Sequence, residues 1–98
     1  MNIGRAQSRS RWKMMVRRCE DPRLLGYRYY GARGIKVCER WHDWALFDAD
    51  ITRLIGPCPE GMSLDRIDND GNYEPGNVRW ATRRQQQLNS RNAKRVAS

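Results

Sequence analysis

The stretch that decides the fold is MSLDRIDNDGNYEPGNVRWATRRQQQLNSRN, residues 62–92. Met62–Ile67 reads as a strand, and Asp68–Gly76 is a polar loop rich in residues that tolerate tight turns. Val78–Ala81 reads as a second strand. Thr82 followed three residues later by Gln85 is a capping box, which opens a helix over about 83–92. The order is strand, loop, strand, helix. The tail 93–98 is expected to fray.

Upstream, Trp12, Met15, Val16 and Cys19 recur at i, i+3, i+4 and i+7, which predicts an amphipathic helix over 8–19. Asp21-Pro22 stops it. Residues 26–34, GYRYYGARG, are turn-rich, and Ile35–Cys38 alternates as a short strand. Trp41, Trp44, Ala45, Phe47, Ile51, Leu54 and Ile55 predict a central helix over 41–55, with Asp43 suited to its N-terminal dipole. Gly56–Gly61 breaks the pattern. The reading is a small α+β fold of 98 residues in one domain, with an N-terminal helix, a central helix and a C-terminal β-hairpin–helix unit. Such a chain buries a modest core, so a metal, partner or ligand would help its stability.

Charge narrows the function. The formal net charge is +8. Residues 1–18 hold six bases and no acid, residues 79–98 hold six more and no acid, and all eleven acids lie between them. Sixteen of the nineteen basic residues are arginine, whose planar fork suits phosphates and guanine edges. Two such ends attract a polyanion by counterion release, so DNA is the expected partner. The candidate contacts are Arg9, Arg11, Arg17, Arg18, Arg28, Arg33, Arg79, Arg83, Arg84, Arg91 and Lys94. Tyr27, Tyr29 and Tyr30, interleaved with Arg28 and Arg33, either stack on bases or pack on the first helix. Neither basic end has a broad apolar face, and no 18-residue apolar run or signal-peptide core is present, so a cytoplasmic protein away from membranes is expected. A homodimer or a larger assembly would enlarge its small recognition surface.

The three cysteines form no CxxC pair. Cys19, Cys38, His42 and Cys58 supply enough ligands for zinc, but the spacing is not that of a zinc motif; buried structural cysteines are the reading preferred, and Zn²⁺ is not expected. Asp68-Asn69-Asp70-Gly71 resembles part of a calcium loop, but Arg66 and Asn77 stand where an EF-hand needs acids.

The residues Leu64-Asp65-Arg66-Ile67-Asp68 and Asn77-Val78-Arg79-Trp80-Ala81-Thr82, with the lead-in YYGARGIKVCERW, resemble the HNH or ββα-metal nucleases, especially the compact phage and intron-encoded homing type. The resemblance covers most of 29–92. It implies a divalent-metal DNA endonuclease fold in which Asp65 and Gln86 (or Asn89) bind Mg²⁺ or Mn²⁺ and Asn77 braces the loop. Arg66 stands where the family has its general-base histidine. An arginine cannot readily accept a proton, so Arg66 would instead hold the scissile phosphate or steady transition-state charge. Asp65, Arg66, Asn77 and Gln86 are thus the candidate catalytic set. His42 would serve as base only if the fold brought it close; a surface histidine is the plainer reading. Two functions follow: a metal-dependent endonuclease, or a DNA-binding or host-interacting phage factor that keeps the frame without catalysis. A purely protein-binding inhibitor is a third option, since fold does not fix function.

Overall fold

A computed structural model describes residues 3–88. The first helix, α1, spans Ile3–Glu20 and so begins earlier than the apolar spacing indicates. Arg17 and Arg18 lie in its last turn, where cations suit the helix dipole. The chain leaves it at Asp21, whose amide still bonds the Arg17 carbonyl. Met15 and Cys19 of the apolar stripe are buried, with Trp12 and Val16 packed beside them.

Residues 25–33 form two short 3-10 turns, Leu25–Tyr29 and Gly31–Arg33. Gly31 is needed where the turn meets α1: a Cβ there would collide with the Tyr27 ring and the Cys19 carbonyl oxygen. The strand expected at 35–38 is not formed. Val37 makes one isolated parallel bridge with Tyr73, flanked by bonds from the Tyr73 amide to the Lys36 carbonyl and from the Cys38 amide to the Tyr73 carbonyl. Its inward side chains, Ile35 and Val37, are still buried, which is why the alternation looked like a strand.

The central helical pattern divides in two. Glu39–His42 is a 3-10 turn, and the second helix, α2, spans Trp44–Leu54. Asp43 sets the boundary as N-cap, accepting from the amides of Ala45 and Leu46. Gly56, at φ 83°, closes α2 by donating to the Ile51 carbonyl. Trp41, Phe47 and Ile51 are almost wholly buried. Trp41 and Phe47 meet edge to face, with centroids 5.2 Å apart.

Strands β1 (Ser63–Arg66) and β2 (Val78–Ala81) form an antiparallel two-stranded sheet. The register pairs Ser63 with Ala81, Leu64 with Trp80, Asp65 with Arg79 and Arg66 with Val78. The capping box is formed: the Thr82 amide donates to Gln85 Oε1, and the Gln85 amide donates to Thr82 Oγ1. Residues 83–88 are helical; the remainder of the expected helix and the tail 93–98 lie outside the described residues. The core joins Met15 and Cys19 of α1, Ile35, Val37 and Trp41, Phe47 and Ile51 of α2, and Leu64, Tyr73 and Val78 around the hairpin.

Candidate nucleic-acid interface

The hairpin register places Asp65 opposite Arg79. Arg79 Nε donates to Asp65 Oδ2 at 3.2 Å, with the Arg79 side chain 44% exposed and that of Asp65 13%. Gln86 approaches the same strand: its Nε2 donates to the Leu64 carbonyl at 3.5 Å. Asp65 and Gln86 are therefore anchored at adjacent levels of β1. One carboxylate already neutralised by a guanidinium, beside a neutral amide, is a poor donor set for hard Mg²⁺ or Mn²⁺. Among the described residues no group of three or more His, Cys, Asp or Glu side chains is gathered as a metal site.

Arg66 alternates onto the same buried face as Leu64 and is 3% exposed. Its guanidinium donates to the carbonyls of Asn69 and Gly71, at 2.6 and 2.9 Å, and to Asn69 Oδ1 at 2.8 Å. It also lies over the rings of Tyr30 and Tyr73. The donors that would hold a phosphate are thus turned into the loop. At the position after Asp65 the pleat points the side chain inward.

Asn77 clamps the other end of the loop. Its Oδ1 accepts from the Asp68 amide at 2.8 Å, and its Nδ2 donates to the carbonyls of Asn72 and Asp68, at 2.8 and 3.3 Å. With its side-chain amide occupied on both sides, Asn77 orders backbone.

The basic candidates divide by burial. Arg9, Arg17, Arg28, Arg33, Arg83 and Arg84 are exposed; Arg11, Arg18 and Arg79 are partly covered. Arg33 is tied to Asp70 at 2.7 Å and to the Tyr29 and Asn69 carbonyls. Arg17 lies 3.8 Å from Asp21. Arg18 lies over Tyr30. Arg91 and Lys94 fall outside the described residues. Lys13 is a further cation of α1 beyond the candidate contacts named from the sequence. It is exposed on α1, four residues from both Arg9 and Arg17, so these three cations run along one helix face. That i, i+4, i+8 spacing was the available signal.

Among the described residues, α1 and the segment after β2 both reach the open end of the hairpin. Arg11 Nε donates to the Met62 carbonyl at 2.9 Å, just before β1. Because Ser63 pairs with Ala81, Met62 lies at the same end of the sheet as Thr82. There the chain enters the helical segment carrying Arg83 and Arg84. Ser8 Oγ secures α1 in this position by accepting from the Cys58 amide at 3.1 Å.

The tyrosines separate. Tyr30 stacks on buried Tyr73, Tyr27 packs about Gly31, and Tyr29 stays 51% exposed with the Arg28 guanidinium over its ring. Away from the hairpin, a half-open cavity of about 380 Å³ is lined by Cys19, Tyr27, Ile35 and the paired Glu20 and His42. Burial pushes the Cys19 thiol up to about 11, so it is a core group rather than a ready nucleophile. Cys38 is partly buried and Cys58 buried, and desolvation raises both thiols. His42 is exposed, at the end of a 3-10 turn, and engaged with Glu20 and the Glu39 carbonyl.

Among the described residues no helix is long and apolar enough to cross a membrane. Set against known proteins, the chain matches no family model, no curated sequence and no solved structure.

Proposed function

We propose that this protein binds double-stranded DNA through the cations of α1 and of the segment after β2 and does not hydrolyse it. The observation that carries the reading is that α1, bonded to Met62 by Arg11, and the segment after β2 lie at the same end of the hairpin, as the Ser63–Ala81 register sets it. Arg83 and Arg84 beside the hairpin supply charge for a phosphate track, and Arg9, Lys13 and Arg17, on the exposed face of α1 away from Arg11, supply a second cationic strip. The absence of hydrolysis is supported by the commitments of Asp65 to Arg79 and of Arg66 to the loop. On this reading the chain keeps an HNH-like frame as a scaffold for binding, as a DNA-binding or host-interacting phage factor would.

A second reading, a metal-dependent HNH-like endonuclease, draws on one contact: Gln86 bonds the carbonyl next to Asp65. There Asp65 and Gln86 would hold Mg²⁺ or Mn²⁺ after Arg79 moved away.

One experiment separates the two. Plasmid is incubated with the protein and Mg²⁺ or Mn²⁺ beside an Asp65→Ala control, and the same preparations are tested for gel shift without divalent ions. Retarded, uncut DNA supports the binding reading. Cutting that needs the metal and disappears in Asp65→Ala establishes the endonuclease. A protein that neither shifts nor cuts DNA defeats both.

A further inference from the structure

Asp65 holds Arg79 by one corner of its guanidinium. The bond is made by Nε, the nitrogen next to the aliphatic stem, and the two terminal amino groups take no part in it. Arg79 is the more open of the pair, at 44% side-chain exposure against 13% for Asp65. A guanidinium is planar with five fixed donors, so fixing Nε fixes the direction of the others. The pair sits in register across the hairpin, and Arg83 and Arg84 follow Arg79 within one turn of the chain's entry into helix. A carboxylate on a DNA-facing surface would repel the ligand unless its charge were covered, and Arg79 covers that of Asp65.

We propose that Arg79 takes a two-pronged acceptor on DNA with its terminal amino groups, and that Asp65 is the positioning residue that aims it. The inference rests on the DNA-binding reading above. It gives Asp65 a role unlike that of a metal ligand. Two features of DNA have the required acceptor geometry: the paired non-bridging oxygens of a phosphate, and the O6/N7 edge of guanine in the major groove.

The test uses the full chain, without divalent ions, titrated by fluorescence anisotropy against a mixed-sequence duplex and an A·T-only duplex of equal length over a salt series. Thermal melts confirm that each variant is folded. Asp65→Asn keeps the Arg79 charge, yet is expected to weaken binding several-fold; in an Arg79→Ala background the same substitution is expected to lose most of that effect, because Asp65 aims Arg79. Arg79→Lys, a second variant that keeps the charge and much of the stem, should restore the salt dependence without restoring full affinity.

A phosphate contact predicts that Arg79→Ala weakens both duplexes alike and lowers the salt slope by about one. A guanine contact predicts a loss of roughly tenfold on the mixed duplex alone. The inference is overturned if Asp65→Asn tightens binding, if it has its full effect without Arg79, or if folded Arg79→Ala binds as well as the wild type. Those failures leave DNA binding standing. A wild-type chain that binds neither duplex removes the DNA reading as well.

Discussion

Tyr30 and Tyr73 stack with ring centroids 6.3 Å apart and planes 19° apart, and the Arg66 guanidinium lies 5.2 and 5.3 Å from the two centroids. Arg66 is therefore a core residue that happens to be charged, kept there by carbonyl oxygens and aromatic faces. Arg66→Ala would leave the Asn69 and Gly71 carbonyls without these donors and open space beside both rings. The expected loss is about 3 kcal/mol, read as a lower midpoint in urea. Arg66→Lys should recover part of it. Folded Arg66→Lys should bind DNA nearly as the wild type does; an arginine gripping phosphate would not allow that.

Gly31 offers a test of the junction between the 3-10 turns and α1. Gly31→Ala places a methyl group against the Tyr27 ring and the Cys19 backbone carbonyl. A loss of about 1–3 kcal/mol is expected in thermal or urea unfolding. Gly26→Ala, with only the Arg18 side chain at the edge of contact, serves as the tolerant comparison.

Asp50 is buried and accepts from Arg40 Nε at 2.7 Å and from Trp41 Nε1 at 2.8 Å. Arg40, then Trp41, hold its carboxyl below the ordinary value of 3.8. With a folded pKa below the unfolded one, its contribution is present above about pH 4 and is lost as pH falls through the folded value. Urea midpoints measured from pH 6 down to pH 2 should fall in that lower window. Asp50→Asn should flatten part of the fall while costing about 1–3 kcal/mol at neutral pH.

Glu20 and His42 give the opposite slope. The Glu20 carboxylate raises the His42 imidazole above its ordinary 6.5 by accepting a hydrogen bond from it. A folded pKa above the unfolded one makes the contribution complete below 6.5 and lost as pH rises through the folded value. Both side chains are half exposed, so the effect should stay under about 1 kcal/mol. Thermal midpoints should decline slightly from pH 6 to pH 9 in the wild type. The slope should shrink in His42→Gln.

Arg83 and Arg84 should act on DNA as additive, sequence-blind contacts. Each replaced by alanine should weaken binding evenly across sequences and lower the salt slope by about one. Anisotropy titrations at several salt concentrations read both quantities. Loss confined to one sequence would move these residues from backbone to base contact.

Much of this architecture was written locally. Trp12, Met15, Val16 and Cys19 announce α1 because an amphipathic stripe needs only its own spacing. Thr82 and Gln85 announce a helix start because each satisfies the other's backbone amide. Ile35–Cys38 misled because burial of alternate side chains resembles a strand even where one bridge is all the chain makes. Trp41 looked helical for a similar reason; the cap at Asp43, visible in the sequence, marked where the α-helix begins. The site was less legible. Asp65 and Arg79 lie fourteen residues apart, and only the strand register makes them partners. Arg66 reads as a candidate phosphate holder, and nothing in its neighbourhood of sequence says that Tyr30 will arrive over it.

Three indole N–H groups reach across the chain: Trp12 to the Trp41 carbonyl, Trp41 to Asp50, and Trp80 to the Gly56 carbonyl. The first and last join segments more than twenty residues apart, and the second ties the 3-10 turn to α2. The hairpin is thus not a cassette that could be cut out and grafted elsewhere. Excised, it would leave behind the acceptor of Trp80 and the first-helix arginine that fastens its entrance. Any evolutionary or engineered transfer of this unit would have to carry the helices with it.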